Sequence, residues 1–186
     1  MTSPSHYLVV DLEATCSEDG SIPREETEII EIGAVLVEAA TLTTVRELQT
    51  FVRPIRHPRL TPFCTKLTTI TQADVDAAPR FPATMAKLRE FLGRDAALFC
   101  SWGNYDRNQL ERDARRHGIR LPLGKDHWNL KAAFARKHND GREIGVGQAL
   151  RKLGLSFQGT HHRGIDDARN IARILPYVLR DAKEHA

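Results

Sequence analysis

The sequence lacks both the long apolar runs of a membrane protein and the signals of an exported one. No stretch approaches the roughly 20 consecutive apolar residues that a transmembrane helix needs. The N-terminus, "MTSPSHYLVVDLEA", has no basic region followed by an apolar core, so we expect no signal peptide. Both absences favour a protein that neither spans a membrane nor is secreted.

Cysteine is also scarce. Only Cys16, Cys64 and Cys100 occur among the 186 residues, an odd number at wide spacing that fits neither a disulfide framework nor a zinc site. We therefore expect reduced, buried thiols in a cytoplasmic protein.

Internal repeats, low-complexity segments and linkers are missing as well. With 41% hydrophobic and 27% charged residues, the composition is that of a globular protein. The length suits one domain, so residues 1–186 are predicted to form a single domain. The net charge of +3 permits a polyanionic partner without requiring one.

The order of the apolar patterns predicts one mixed sheet covered by helices. Apolar or alternating runs predict strands at 6–14, 27–37, 47–54 and 96–103, with a strand or turn around "HWNL". Helical periodicity predicts helices at 81–94, 104–118, 145–154 and 164–182, with shorter ones around "TQADVDAA" and "KAAFARKH". Residues 55–80 are otherwise expected to be irregular, and Pro176 is expected to kink or interrupt the last helix. Strands first, then helices with a strand between them, indicate an α/β fold.

The last predicted helix contains two adjacent aspartates on different faces. At about 100° per residue, Asp167 falls beside Ile171 at the edge of an apolar stripe. Asp166 falls on the opposite side with Arg169 and Arg173, as a solvated partner of those arginines. An acid that leans toward a core needs a partner or a metal, so Asp167 is the candidate for chemistry.

Three further acids lean toward the interior from distant segments. Asp11 and Glu13 share one face of the first strand, where they repel each other unless a cation lies between them. Asp106 lies on the apolar stripe of its helix with Leu110 and Ala114. Each acid alone also suits an ordinary strand end or a first helical turn. Together, and with the histidines beside Asp166 and Asp167, they favour a site for Mg²⁺ or Mn²⁺, which prefer oxygen ligands.

Three blocks carry these residues: "DLEATC" (11–16), "SWGNYDRNQL" (101–110) and "HHRGIDDARNIARIL" (161–175). They resemble the three motifs of the DEDDh-type 3′–5′ exonucleases, the histidine-bearing branch of the proofreading-exonuclease superfamily. The linking blocks "EIIEIGAVLV" and "FCTKLTTITQADVDAAP" are similar to those of the histone-mRNA and small-RNA exonucleases named for enhanced RNA interference. The resemblance covers about residues 7–179 and implies a ribonuclease-H-like fold.

The resemblance also implies phosphodiester hydrolysis with two divalent cations, Mg²⁺ or Mn²⁺. Asp11, Glu13 and Asp167 are then direct metal ligands, and Asp106 acts on the metals largely through water. The family's His-x₄-Asp spacing joins His162 to Asp167. His162 is thus the expected general base, a role that suits an imidazole because histidine ordinarily titrates at about pH 6.5.

Residues that hold the substrate are implied by the same resemblance. The chain around Ala14 and Thr15 is expected to approach the terminal 3′-hydroxyl. Phe63, Leu67 and Ile70 are expected to wall the terminal base, because stacking tolerates any base.

Trp102 and the arginines of "ERDARRHGIR" (111–120) allow two interpretations. Trp102 is a further candidate for the substrate wall, although a tryptophan after a strand is about as often part of the core. The arginines can contact phosphates, but a solvated helix face is the better interpretation for most of them.

The expected function is a metal-dependent 3′–5′ exonuclease that releases 5′-mononucleotides from free 3′-hydroxyl ends of single-stranded nucleic acid, RNA before DNA. A DNA exonuclease of the trimming or proofreading type is the alternative within the same class. A non-catalytic nucleic-acid-binding module is an alternative of another class, which the five intact catalytic positions argue against. No feature of the sequence indicates an obligate protein partner.

Overall fold

A five-stranded mixed sheet forms the centre of the computed structural model, which describes residues 4–179. The strands are β1 (His6–Ala14), β2 (Ile29–Glu38), β3 (Thr44–Phe51), β4 (Ala97–Ser101) and β5 (His127–Asn129). The helices are α1 (Pro62–Thr68), α2 (Gln72–Asp76), α3 (Phe81–Leu92), α4 (Tyr105–Arg116), α5 (Leu130–His138), α6 (Val146–Lys152) and α7 (Gly164–Leu179).

The strand order is β3-β2-β1-β4-β5, so β1 lies at the centre of the sheet. It pairs antiparallel with β2 and parallel with β4. Since parallel strands end at the same edge of a sheet, the residues that end β1 lie close to the loop that leads from β4 into α4. This edge positions the candidate site.

Successive side chains of β1 point to opposite faces of the sheet, and each face packs in its own apolar layer. Val9 packs on one face of the sheet with α5, α6 and α7. Leu8 and Val10 pack on the other face, with α3 and α4. Asp11 and Glu13 follow Val9 at spacings of two, so both carboxylates lie on the α7 face.

Helix α7 touches the backbone of β2 because glycine is present on both sides of the contact. A Cβ atom placed on Gly33 would lie 2.1 Å from the carbonyl carbon of Gly164. Gly33 is the residue paired with Asp11 across the β1–β2 ladder. The first turn of α7, which contains Asp167, is therefore held beside Asp11 by direct contact between two backbones.

The predicted α/β fold with a mixed sheet and flanking helices is confirmed. The bounds of β1 are those predicted, and the other predicted elements agree to within a few residues. The third strand begins and ends three residues earlier than predicted, because its pairing with β2 extends back to Thr44 and ends at Phe51.

The structure differs from two expectations about irregular backbone. The segment 55–80 contains a further helix, α1, which begins at Pro62 with the side chain of Thr61 as its N-cap. The Thr-Pro pair is a helix-start signal that the sequence does contain. Pro176 does not interrupt α7, which continues to Leu179, where its apolar stripe still packs against the sheet. Residues 180–182 of the predicted helix lie outside the described residues. Among the described helices, none is long and apolar enough to cross a membrane.

Candidate active site

Three carboxylates meet where β1 ends beside the first turn of α7. One oxygen from each of Asp11, Glu13 and Asp167 lies within 4.8 Å of the other two. Asp11 and Glu13 come from alternate positions of one strand, and Asp167 comes from the helix that crosses it. Negative groups this close require a cation or a proton, so the cluster has the donor set of a divalent metal site.

The fourth predicted acid, Asp106, lies beside this cluster in the first turn of α4. Its side chain is 4% exposed, and its Oδ1 accepts a hydrogen bond of 3.1 Å from the backbone N–H of Leu12. Leu12 lies between Asp11 and Glu13 in sequence, so this hydrogen bond fixes the Asp106 carboxylate beside the two acids of β1. The charge of Asp106 contributes to the raised pKa of Asp11, so this fourth acid acts electrostatically on the cluster.

His162 lies at the exposed rim of the site, on the loop that precedes α7. Its backbone has φ 60°, in the left-handed region that a non-glycine residue rarely adopts. Its backbone N–H donates a 2.8 Å hydrogen bond to Oδ2 of Asp167. The residue predicted to be the base and the residue predicted to be a metal ligand are therefore linked by a direct hydrogen bond.

Burial raises the pKa of every acid in the cluster, and repulsion from neighbouring carboxylates adds to the shift for Asp11, Glu13 and Asp106. The pKa of Asp11 is raised well above its usual range by burial and then by the charges of Asp106 and Asp167. Burial, followed by the charges of Asp167 and Glu31, raises the pKa of Glu13 to about 8. Burial raises the pKa of Asp106 to about 7 although hydrogen bonds oppose the shift, and burial also raises the pKa of Asp167. Without a cation, the site favours protonated acids.

The metal-free protein should consequently lose stability as the pH rises. A carboxyl whose folded-state pKa is raised stabilises the fold fully below its unfolded pKa, and that contribution is lost as the pH rises through the folded value. For Glu13 this window runs from 4.5 to about 8. Thermal unfolding in EDTA should give a Tm that falls across this window, and saturating Mg²⁺ should reverse the fall. A metal-free Tm that rises from pH 5 to pH 8 would contradict the shifts described here.

The acids line a cavity of about 420 Å³. All five predicted catalytic residues contribute to its wall, and the remaining wall is largely apolar. The other lining residues are Leu12, Ala14, Cys16, Leu67, Trp102, Tyr105, Val146, Gly147 and His161.

The model of the family described as "Exonuclease" matches residues 8–175, which include all five predicted catalytic residues. The chain belongs to the exonuclease family. Two curated relatives and one solved structure agree with this assignment. The 3′-5′ exonuclease Snipper of Drosophila melanogaster is 32% identical over 95% of this chain and 70% of its own length. The human 3′-5′ exoribonuclease 1 is 32% identical over 96% of this chain, which spans about half, 54%, of that relative.

The solved structure is the nuclease domain of 3′hExo, a DEDDh family member, bound to rAMP. It superimposes on this exonuclease with a TM-score of 0.85 at 30% identity, covering 97% of this chain and 94% of the other. The predicted DEDDh type and ribonuclease-H-like fold are confirmed by this likeness. The family implies divalent metal ions, and the oxygen-only cluster of Asp11, Glu13 and Asp167 fits them.

The predicted substrate residues of this exonuclease divide into two groups. Ala14, Leu67 and Trp102 line the cavity. Trp102 also packs on Phe134 and donates its indole N–H to the Ile144 carbonyl at 2.9 Å, so it is packed against the core as well.

The other three predicted substrate residues do not line the cavity. Ile70 is 0% exposed in a small core with Ile30, Cys64 and Val75. The prediction that it walls a base is therefore corrected, because its apolar side chain packs inward from the segment between α1 and α2. Thr15 is buried, and its Oγ1 accepts from the Glu28 N–H at 3.0 Å. Phe63 is half-buried on α1, outside the cavity lining.

The structure also explains the neighbours of the site. Asp166 pairs with Arg169 at 3.1 Å and accepts from the Thr160 N–H at 2.9 Å, so it acts away from the metal cluster. The His161 ring stacks on Phe157 with centroids 3.6 Å apart. Arg112 and Arg116, offered as phosphate contacts, donate instead to backbone carbonyls of residues 24–27.

One buried pair next to the site, Glu31 and Arg163, was missed at the sequence level. Glu31 lies in a strand of continuous apolar burial, and Arg163 directly follows the predicted base. A charged residue inside an apolar strand is a signal that a partner must exist, but the sequence does not say which residue is that partner.

Proposed function

We propose that this exonuclease hydrolyses single-stranded RNA from its free 3′-hydroxyl end and releases 5′-mononucleotides. The single observation that carries the proposal is the convergence of four acids and His162 in one cavity, with the pKa of every acid raised. Such a cluster destabilises the metal-free fold, and its arrangement is explained by a function that requires bound cations.

Each residue of the cluster has a role that its position supports. Asp11, Glu13 and Asp167 would hold two divalent cations, Mg²⁺ or Mn²⁺, and Asp106 would assist them from the α4 side. The cations, when bound, supply positive charge that stabilises the attacking and leaving oxygens of the phosphodiester. His162 stands at the exposed rim with its backbone hydrogen-bonded to Asp167. Its imidazole would take the proton from the attacking water.

The remaining cavity wall suits the last nucleotide of a single strand. Ala14 continues directly from Glu13, so its backbone would lie next to the 3′-hydroxyl. Leu67 and Trp102 offer apolar surface to a base without reading its identity. RNA rather than DNA is favoured because relatives are named exoribonucleases and the similar nuclease domain was solved with rAMP.

The experiment is a digestion of one single-stranded sequence, prepared as RNA and as DNA, with a label at either end. With Mg²⁺ or Mn²⁺, the 3′-labelled RNA should release labelled mononucleotide at once, and the 5′-labelled RNA should shorten stepwise. EDTA should stop both reactions. Faster digestion of DNA would favour the trimming or proofreading alternative, and binding without digestion in either metal would indicate a non-catalytic module.

The chemical group at the 3′ end of the substrate should affect the rate of digestion as much as the choice between ribose and deoxyribose. A 3′-phosphate adds negative charge beside Asp11 and Glu13, so it should slow digestion by at least about 10-fold, as expected for more than about 1.4 kcal/mol of repulsion. A base-paired 3′ terminus should also slow it, because the cavity holds an unstacked nucleotide. A circular RNA of the same sequence should remain intact in a gel assay. Its cleavage would mean endonuclease chemistry.

A cytoplasmic location is part of the same proposal. Three free cysteines, of which Cys64 and Cys100 are buried, suit a reducing compartment. Fractionation of cells that express a tagged chain would test it.

A further inference from the structure

Glu31 is a fifth carboxylate near the metal cluster, and its surroundings differ from those of the other four. It lies across the ladder from Glu13 and is 0% exposed. Protein donors surround both of its oxygens: Arg163 Nε at 3.2 Å, Arg163 Nη2 at 3.4 Å, the Gly164 N–H at 3.0 Å and Gln49 Nε2 at 3.0 Å. Because these donors occupy its lone pairs, Glu31 is an anchor for Arg163 and not a metal ligand.

Arg163 contacts three segments of the fold besides its own. Its guanidinium binds Glu31 on β2 through two nitrogens and lies 5.4 Å from the centre of the Phe51 ring at the end of β3. Its Nη1 donates at 3.5 Å to Oγ1 of Thr69, the residue that ends α1. A single side chain thus fixes the backbone position that directly follows His162.

His162 needs such an anchor more than Asp167 does. Asp167 is held by α7, whose apolar stripe packs against the sheet and whose first residue, Gly164, touches Gly33. His162 is exposed, has a left-handed backbone and makes one backbone hydrogen bond, to Asp167. The other hydrogen bonds described for this part of the loop, from the N–H groups of Thr160 and His162, both go to aspartates of α7.

We propose that Arg163, held by Glu31, is a positioning residue. It fixes the position of the His162 imidazole next to the carboxylates that would hold the metal ions. This inference rests on the proposed function, because it assumes that His162 acts as the base. The planar guanidinium is required, because a lysine would keep the charge but lose the two parallel hydrogen bonds to Glu31. Arg163 itself does not touch the substrate in this proposal.

The test is a double-mutant cycle of Arg163→Ala and His162→Ala, with kcat and KM measured on single-stranded RNA. Arg163→Ala should lower kcat by about 10²-fold, the effect typical of a misplaced catalytic group, with KM nearly unchanged. In the His162→Ala background the same change should cost less than about 3-fold, since residues that act as one unit are not additive. Arg163→Lys should fall between Arg163→Ala and the wild type.

Two further variants separate positioning from folding. Arg163→Ala leaves the buried Glu31 unpaired, so the paired variant Glu31→Gln/Arg163→Gln, which removes both charges, is assayed beside it. Its loss of kcat should match that of Arg163→Ala at a temperature well below every measured Tm. The matched control is Arg169→Ala, which removes an exposed arginine of α7 bound to Glu47 and Asp166, and its kcat should equal that of the wild type.

Each remaining outcome decides one hypothesis. A wild-type kcat in both Arg163→Ala and the paired variant overturns the positioning role. An equal fold-loss with and without His162 also overturns it, because Arg163 would then act independently of the base. A wild-type protein without nuclease activity would contradict the proposed function instead.

Discussion

Asp11→Asn should abolish turnover while the fold remains intact. The substitution removes a carboxylate of the proposed metal site, whose own pKa is raised well above its usual range by burial and then by the charges of Asp106 and Asp167. The metal-free variant should therefore be slightly more stable than metal-free wild type near pH 8, with a Tm higher by about 2–4 °C, which corresponds to about 1 kcal/mol in a domain of this size. Calorimetry in EDTA and a single-strand digestion in saturating Mn²⁺ would measure both effects. Glu13→Gln should behave in the same way.

The matched control is Glu18→Gln, which neutralises an exposed carboxylate in the loop that follows β1. It should change neither the rate nor the effect of metal on Tm. If Asp11→Asn retained near wild-type activity in Mn²⁺, the metal assignment would be wrong whatever its stability.

The stretch "HHRGIDD" contains two adjacent histidines and two adjacent aspartates. In each pair, one residue should be essential for activity and the other dispensable. His162→Ala should lower kcat by about 10²–10⁴-fold, the usual contribution of proton transfer, whereas His161→Ala should cost less than about 10-fold. Asp167→Asn should eliminate activity. Asp166→Asn should only weaken an ion pair with Arg169, by about 0.2–0.5 kcal/mol.

The structure supports this separation for reasons that differ between the pairs. The His161 ring is held on Phe157, so its loss changes loop packing more than chemistry. An asparagine at 166 still accepts the hydrogen bond from Thr160, so the loop before α7 keeps its anchor. The four variants are assayed together on one RNA at one metal concentration. If His161→Ala proved more damaging than His162→Ala, the assignment of the base would have to be exchanged.

Helical and strand periodicity accounted for the acids because each acid departs from a local pattern. Asp11 and Glu13 interrupt an apolar strand, and Asp167 lies at the edge of an apolar helix stripe. Such departures are visible within 10 to 15 residues of sequence, and they remained valid in the folded chain because the same patterns determine which faces are buried.

Features that depend on distant contacts could not be predicted in the same way. The family resemblance implied that Ile70 walls a base, yet this side chain fills a small core beneath α1 and α2. Glu31 and Arg163 are 132 positions apart in sequence, and only the packing of α7 on β2 brings them together. The position of Glu31 inside an apolar strand signals that a partner must exist, but no local pattern identifies Arg163 as that partner.

The contact between Gly33 and Gly164 has a consequence for anyone who transfers this site to another scaffold. The separation of the acids on β1 from the acid on α7 is set by two backbones that meet without an intervening side chain. Rotamers cannot adjust such a spacing, and changes of core residues elsewhere in the sheet cannot widen it gradually. Grafting the four carboxylates and the histidine alone would omit the backbone contact that sets their spacing. A designed copy must therefore carry both glycines and the crossing of helix over strand that they permit.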